Sequence, residues 1–418
     1  MTAPQSIRLK YLYSPSGDAN HPKEQVLSVY RDHGVIPKSS RSDNFNKTPE
    51  NVERYLLVHP GDLVVNRMKA WQGSLGVSDH RGIVSGDYEV LRPTTDSVSG
   101  KYMHYALRSR HMIGEYRVRS TGIRPSQWRL YWDQMGDIRI SLPSLAEQER
   151  IADYLDHETA QIDTLVTEQQ RLVEMLQDRR SALVERTVTK GLDKSAEVKE
   201  STLSWTDTVP SHWRVANIRR FAQMKTGHTP SRSNPDYWEK CTIPWITLAD
   251  VWQLRSSKQM YVEDTEGLIS ELGLANSAAE LLPAGTVVLS RTASVGFAGI
   301  MPQSMATSQD YWNWVCGPEL MPEYLVWVFR AMRQEFNALM IGSTHKTIYQ
   351  PVAAAMRIPV PPLEEQKEIV THIEDHIARI DTLIAESERL IDLSQERRFA
   401  LITAAVTGQI GTGEDSGI

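Results

Sequence analysis

The sequence predicts an α+β protein: two similar globular domains separated by two long antiparallel coiled-coil helices. Three observations carry this expectation. Residues 143–189 realign on 361–407 at a constant offset of 218, without a gap and with 20 identities in 47 positions. An ungapped repeat of that length points to a rigid element such as a helix. Each copy places apolar residues in alternating steps of four and three, which is a heptad seam. The segments ahead of the copies mix short β-branched runs with turns, as α+β units do.

Taken in order, residues 1–142 form the first globule and 143–192 the first helix. Residues 193–360 hold a linker and the second globule, and 361–418 the second helix and a tail. The globules resemble each other in pieces. His59 to Arg67 parallels Pro283 to Arg291, Ser85 to Tyr88 parallels Ser308 to Tyr311, and Tyr102 to Arg108 parallels Tyr324 to Arg330. The first helical seam is read as Ile151, Leu155, Ile162, Leu165, Leu172, Leu176 and Leu183. The second is read as Ile369, Ile373, Ile380, Leu383, Leu390 and Leu401. The two copies share polar breaks in the seam, at Glu158/His376, Gln169/Ser387 and Arg179/Arg397, and such breaks can set register. No Pro or Gly interrupts either run. Helices of this length reach roughly 65–70 Å. Gly191 to Ser204 reads as a polar, charged linker, and the tail from Gly408 as disordered.

Composition narrows the function. The 418 residues carry two cysteines, Cys241 and Cys316, too few for a disulfide framework or a Cys-based zinc site. No run approaches a membrane span, and the first residues lack the apolar stretch of a signal peptide, so a cytoplasmic protein is expected. The net charge of −6 argues by itself against nucleic acid. By segment it is +6 on residues 1–142, −4 on 143–192, −1 on 193–360 and −7 on 361–418. The basic charge therefore sits on one globule and the acid on the helices. No phosphate loop, dinucleotide-binding glycine motif, HExxH or GxSxG is present, so no catalytic residue and no metal site is expected. A binding protein is the reading that remains.

At this point the residues resemble a family. Pro143, Leu145, Glu147, Gln148, Ile151 and Ile162-Asp163, repeated as Pro361, Leu363, Glu365, Gln366, Ile369 and Ile380-Asp381, look like the helix starts of type I restriction–modification specificity subunits. Thr226-Gly227-His228-Thr229-Pro230-Ser231, Ile243-Pro244-Trp245 and Gly342-Ser343-Thr344 strengthen the likeness in the second globule, whereas the first globule lacks the Thr-Gly-x-Thr-Pro-Ser stretch. The resemblance implies a non-catalytic reader of double-stranded DNA. Each globule would be a target recognition domain for one half of a bipartite, asymmetric site. It also implies two DNA methyltransferase subunits and restriction (endonuclease/translocase) subunits as partners. These would use S-adenosylmethionine, ATP and magnesium, with no cofactor bound by this chain. The alternative from another class is a coiled-coil adaptor whose globules bind proteins.

Candidate DNA-contacting residues fall on loops, where a polar segment after a buried strand can meet base edges. In the first globule they are Arg67, Lys69, Trp71 and Gln72, then Ser120, Thr121, Arg124 and Gln127. In the second globule Lys225, Thr226, Thr229 and Arg232 form one group, and Arg291, Thr292 and Ser294 another. The third is Ser343, Thr344, His345, Lys346 and Thr347. Ordinary loop capping is the plain alternative for each. Gln309 is a further candidate, Tyr311 is read as core with Trp312 and Trp314, and the tryptophans in general as packing.

Overall fold

The computed structural model describes residues 5–31, 33–41, 47–124, 127–255, 259–339 and 347–410. The chain forms two compact units, one of residues 1–171 with 387–418 and one of residues 172–386. Each unit therefore combines a globule with the start of one long helix and the end of the other.

Both globules are built on one plan. In the first unit an antiparallel sheet runs Tyr13–Pro15, Tyr88–Pro93, Leu63–Asn66 and Leu75–Val77 in spatial order. In the second unit the order is Ala222–Thr226, Tyr311–Cys316, Val287–Ser290 and Ala298–Ile300. The central strands Leu63–Asn66 and Val287–Ser290 read as continuous apolar runs because both faces are covered. Helices Gly100–Leu107 and Pro322–Ala331 cover one face, burying Tyr102, Met103, Ala106 and Leu107 in one unit and Tyr324 to Phe329 in the other. A strand before each sheet pairs with the strand that leads into that unit's long helix. Gln5–Arg8 pairs with Arg139–Leu142, and Arg214–Asn217 with Arg357–Val360, both antiparallel.

The long helices span Leu145–Lys190 and Leu363–Val406. Ser144 caps the first, its Oγ accepting from Glu147 N at 3.3 Å. Gly191 and Gly408 follow the helix ends with left-handed backbones (φ 67° and 72°), the conformation a C-terminal helix cap favours. Within each unit the start of one helix lies beside the end of the other, so the pairing is antiparallel. Ile151, Ala152 and Leu155 share a core with Ile402, Ala405 and Val406, and Ile369, Val370 and Ile373 share one with Val184 and Val188.

The seam differs from expectation at alternate positions. Leu165, Leu383 and Leu390 are exposed, and Leu172, Leu183 and Leu401 only half-buried, whereas Ile151, Leu155, Ile162, Leu176, Ile369, Ile373 and Ile380 are buried as expected. The buried line passes through Thr159 and Ile377, one residue after the first polar break read from the sequence, and then through Ser387, Ser394 and Ile402. Steps of four-three and three-four share half their positions, and a leucine on the flank satisfies the wrong choice. The last pair of breaks moves with it, to Arg180 and Arg398, whereas Ser387 is buried where it was expected. Arg180 Nη1 lies 3.4 Å from Asp381 Oδ1, and Arg398 Nε 3.0 Å from Asp163 Oδ1, matched ion pairs between the two helices. The linker also differs. Val198–Leu203 pairs with Thr206–Pro210 as a hairpin, because alternating side chains flank a tight turn.

Two buried polar groups tie helix ends to each globule. The Gln148 amide donates to Ser97 O and Pro143 O, both at 3.0 Å, and its Oε1 accepts from Ser99 N at 2.9 Å. Gln366 repeats this with Glu319 O, Pro361 O and Met321 N, each at 2.9 Å. Both glutamines are completely buried. The Tyr102 hydroxyl lies 3.1 Å from Ser141 O and 3.4 Å from Val406 O. The Tyr324 hydroxyl lies 3.0 Å from Pro359 O and 3.4 Å from Val188 O. Each tyrosine thus meets the strand before one helix and the end of the other.

His104, packed against Gly34 and Gly76, sits with Nδ1 3.3 Å from Val77 O and Nε2 against the Arg108 guanidinium. Burial, then Arg108, pushes its pKa down to about 4. The folded state therefore holds it neutral, and its contribution to stability is complete above the unfolded value of about 6.5. That contribution is lost as pH falls through the window down to about 4.

Two outcomes follow. Gln148→Ala strands an N–H and two carbonyls in the interior and is expected to cost about 2–3 kcal/mol, against about 1 kcal/mol or less for Arg398→Ala on a partly exposed pair. Urea titration checks this, and equal losses would contradict the assignment. Between about pH 7 and about pH 5, His104→Gln should lose less stability than the parent chain. Parallel pH profiles would show that His104 is not the titrating group.

Candidate nucleic-acid interface

The first unit brings its two candidate loops together. Leu63–Asn66 delivers the chain into a turn at 67–73, which Gly73 closes with φ 93°. Arg67 turns inward. Its N–H donates to Asp87 O at 3.2 Å, its guanidinium donates to Gly86 O and Asp87 O, and Glu89 lies 3.8 Å away. Its carbonyl accepts from Leu130 N at 2.9 Å, which welds this turn to the second loop. Trp71 meets Trp128 edge-on, with centroids 5.4 Å apart, and donates Nε1–H to Met68 O at 3.1 Å. Ser120 is buried, and its hydroxyl caps the preceding helix by donating to Tyr116 O at 2.8 Å. Thr121 and Arg129 exchange backbone hydrogen bonds of 2.9 and 3.0 Å, and Gly122 lets the two sides of this hairpin approach. The candidates that reach solvent are Lys69, Gln72, Thr121, Arg124 and Gln127.

The second unit repeats the junction. The Arg291 N–H donates to Asp310 O at 2.9 Å, its Nε donates to Gln309 O at 2.6 Å, and its guanidinium stacks 4.2 Å from the Trp312 ring centroid. Burial lowers its basicity. Its carbonyl accepts from Ile348 N at 3.0 Å, as that of Arg67 does from Leu130. Thr292 pairs with Thr347. Ser294 Oγ accepts from Arg255 Nη2 at 3.2 Å. Ser343, Thr344, His345 and Lys346 lie outside the described residues.

The Thr226–Ser231 stretch joins the same face. His228 N donates to Thr307 O at 3.0 Å, and the Thr229 hydroxyl donates to Gln309 Oε1 at 2.7 Å. A Cβ on Gly227 would lie 2.0 Å from Thr307 O, so only glycine admits this contact. Lys225 is tied to Glu280 at 2.6 Å, and the exposed Arg232 lies 5.5 Å from the Trp238 ring centroid. Thus 226–232, 291–294, 307–310 and Thr347 form one polar face, with Gln309 exposed at its middle.

Tyr311, Trp312 and Trp314 are core, as their sequence suggested. Trp252 departs from the packing rule. It is 66% exposed on the short helix Val251–Arg255, one turn from the arginine that touches Ser294. The signal was the Thr247–Asp250 capping box, which starts a helix there and puts positions 252 and 255 on one side. Among the described residues no three His, Cys, Asp or Glu side chains gather as metal ligands, and no helix is long and apolar enough to cross a membrane.

Comparison with known proteins finds one family and one fold. Residues 210–391 match the family model described as the type I restriction modification DNA specificity domain. The MjaIX specificity subunit of Methanocaldococcus jannaschii is 28% identical over 39% of this chain and 37% of its own length. The putative MjaX specificity subunit of the same organism is 21% identical over 86% of this chain and 81% of its own. A solved chain from work on complex assembly and conformational transition of the type I R-M system shares the fold. Its TM-score is 0.74 at 14% identity, covering 98% of this chain and 99% of that one.

Gly227→Ala should separate the Thr226–Ser231 and Thr307–Asp310 segments and speed amide exchange at His228. Gly86→Ala, with nothing near the added carbon, should be silent. Equal protection in both variants would refute the close approach.

Proposed function

We propose that this chain is a type I restriction–modification specificity subunit and that its two units read the two unlike halves of one bipartite DNA site. The observation that supports this most directly is the repeated junction: Arg67 to Leu130 in one unit, Arg291 to Ile348 in the other. One backbone arrangement displays two different sets of exposed side chains. Lys69, Gln72, Arg124 and Gln127 stand in the first unit, and Thr226, Arg232 and Gln309 in the second. Arg and Lys suit guanine, and Gln suits adenine, each bidentate pair being worth about 1–3 kcal/mol of discrimination. Arg67 and Arg291 then act as buttresses that position these loops, because their guanidinium groups already serve backbone carbonyls.

Specificity subunits are themselves non-catalytic. In this reading the long helices, 46 and 44 residues without Pro or Gly, set the half-site spacing and carry two methyltransferase subunits and the restriction subunits. Adenine methylation with S-adenosylmethionine, and ATP- and magnesium-dependent cleavage, belong to those partners, and this chain binds no cofactor. The overall net charge of −6 leaves part of the grip on DNA to the partners as well.

Replacing residues 1–142 by the corresponding domain of another specificity subunit should change one half-site in the methylome of expressing cells and leave the other intact. A change in both halves, or in neither, would end the modular reading. Binding by the assembled complex should also fall steeply with added salt. Salt-independent binding would favour a protein-binding adaptor instead.

A further inference from the structure

Helix Arg110–Arg119 of the first unit has an outer face that the candidate loops do not account for. Its inner face is core, with Met112 and Tyr116 buried, and Ile113 packs against the turn at Gly73. Its outer face carries the exposed Gly114, Arg117 and Val118, while Arg110 at its start stacks 5.0 Å from the Phe399 ring centroid. The helix then runs into the hairpin that carries the exposed Ile123 and Arg124.

Three features of this face want a ligand. The first is charge. Between Arg108 and Arg129 there are six arginines and one acid, Glu115. Glu115 is taken up by Arg119 at 2.6 Å, whereas the guanidinium groups of Arg117 and Arg124 have no hydrogen-bond or ion-pair partner among the described residues. The second is apolar exposure. Val118 is 82% exposed and Ile123 is 95% exposed, and both stand beside those arginines. The third is Gly114. A glycine inside a helix is less favourable than alanine, and most helix-interior glycines that persist have a packing reason. Gly114 has none within the chain. A Cβ there would meet nothing within 4 Å, and its backbone is not in the left-handed region. By contrast, a Cβ on Gly73, beneath the inner face, would come 2.9 Å from Ile113.

We infer that this face seats the sugar–phosphate backbone of duplex DNA. Gly114 lets the strand come close to the helix, Arg117 and Arg124 neutralise phosphates, and Ile123 projects toward a groove. The charge selects a polyanion, and continuity with the hairpin of Thr121, Arg124 and Gln127 places it beside the base-reading loops. An apolar tip can contact a thymine methyl group or deoxyribose, so Val118 and Ile123 are consistent with the same occupant. This assignment rests on the reading of the chain as a DNA reader, and extends it from base edges to the backbone.

The test uses the full chain co-expressed with its modification subunits and a duplex selected from a random pool. Arg117→Ala should weaken binding about tenfold, by the same factor on the selected and on an unrelated duplex. It should also lower the slope of log affinity against log salt by about one, and Arg117→Lys should restore most of both. Gly114→Ala should raise Tm by roughly 2–4 °C yet weaken DNA binding, a combination that a purely structural glycine would not give. The parent complex binding DNA while both alanine variants bind with unchanged affinity and salt slope would overturn this surface and leave the DNA-reader reading standing. Loss of modification-subunit assembly with DNA affinity intact would overturn it in favour of a protein interface. A parent complex that binds no duplex would remove the DNA-reader reading and this surface with it.

Discussion

The arrangement of each unit depends on how the start of one long helix and the end of the other are held against the globule. Four side chains hold them. Gln148 and Gln366 each make three hydrogen bonds, and Tyr102 and Tyr324 each lie between two backbone carbonyls, all in the interior. A buried amide is tolerated only when its donors and acceptor are met, so its position is specified far more tightly than that of a leucine in the same place. Burial pushes the Tyr102 phenol up to about 12 and that of Tyr324 well above its ordinary value. Both stay neutral donors. Because the bonded partners lie before one helix and at the end of the other, the antiparallel pairing and the placement of the globule are set together.

From that anchor the geometry passes outward. The strand entering each long helix fixes the edge of the globule through Ile7 opposite Ile140 and Ala216 opposite Ile358. The four-stranded sheet then aims its central hairpin at the candidate face, and Arg67 and Arg291 tie the hairpin to the second loop. A reader needs loops that vary without loosening. Here the supporting work is done by backbone hydrogen bonds and an inward arginine, which leaves the outward side chains at Lys69, Gln72 and Gln127 unconstrained by the fold. The masking of a basic globule by acidic helices follows the same division of labour. Charge that would repel DNA lies on the helices, and charge that attracts it lies on the first globule.

Much of this was legible in the chain. Glutamine at matched positions of an ungapped repeat, apolar strands before polar turns, and helices without Pro or Gly all survive in the structure. Ser120 and Arg67 show what was not legible. Polarity marked both as surface readers, but a hydroxyl can cap a helix and a guanidinium can bond carbonyls, and only packing tells which. Trp252 shows the reverse: an aromatic assigned to packing by its type stands exposed because a short capped helix turns it outward.

The sequence by itself determined the duplication, the α+β class, the two long helices and their heptad repeat. All of these are periodic and local, so side-chain order reports them directly. Tertiary structure alone decided which line of each heptad is buried, and so why Leu165, Leu383 and Leu390 face solvent while Arg180 and Arg398 pair across the helices. It alone decided which polar residues face inward. The reason is one of degeneracy. A heptad can be stepped as four-three or three-four, and a polar side chain can bond water or backbone. Each choice is settled by the neighbour on the other element, which no single segment contains.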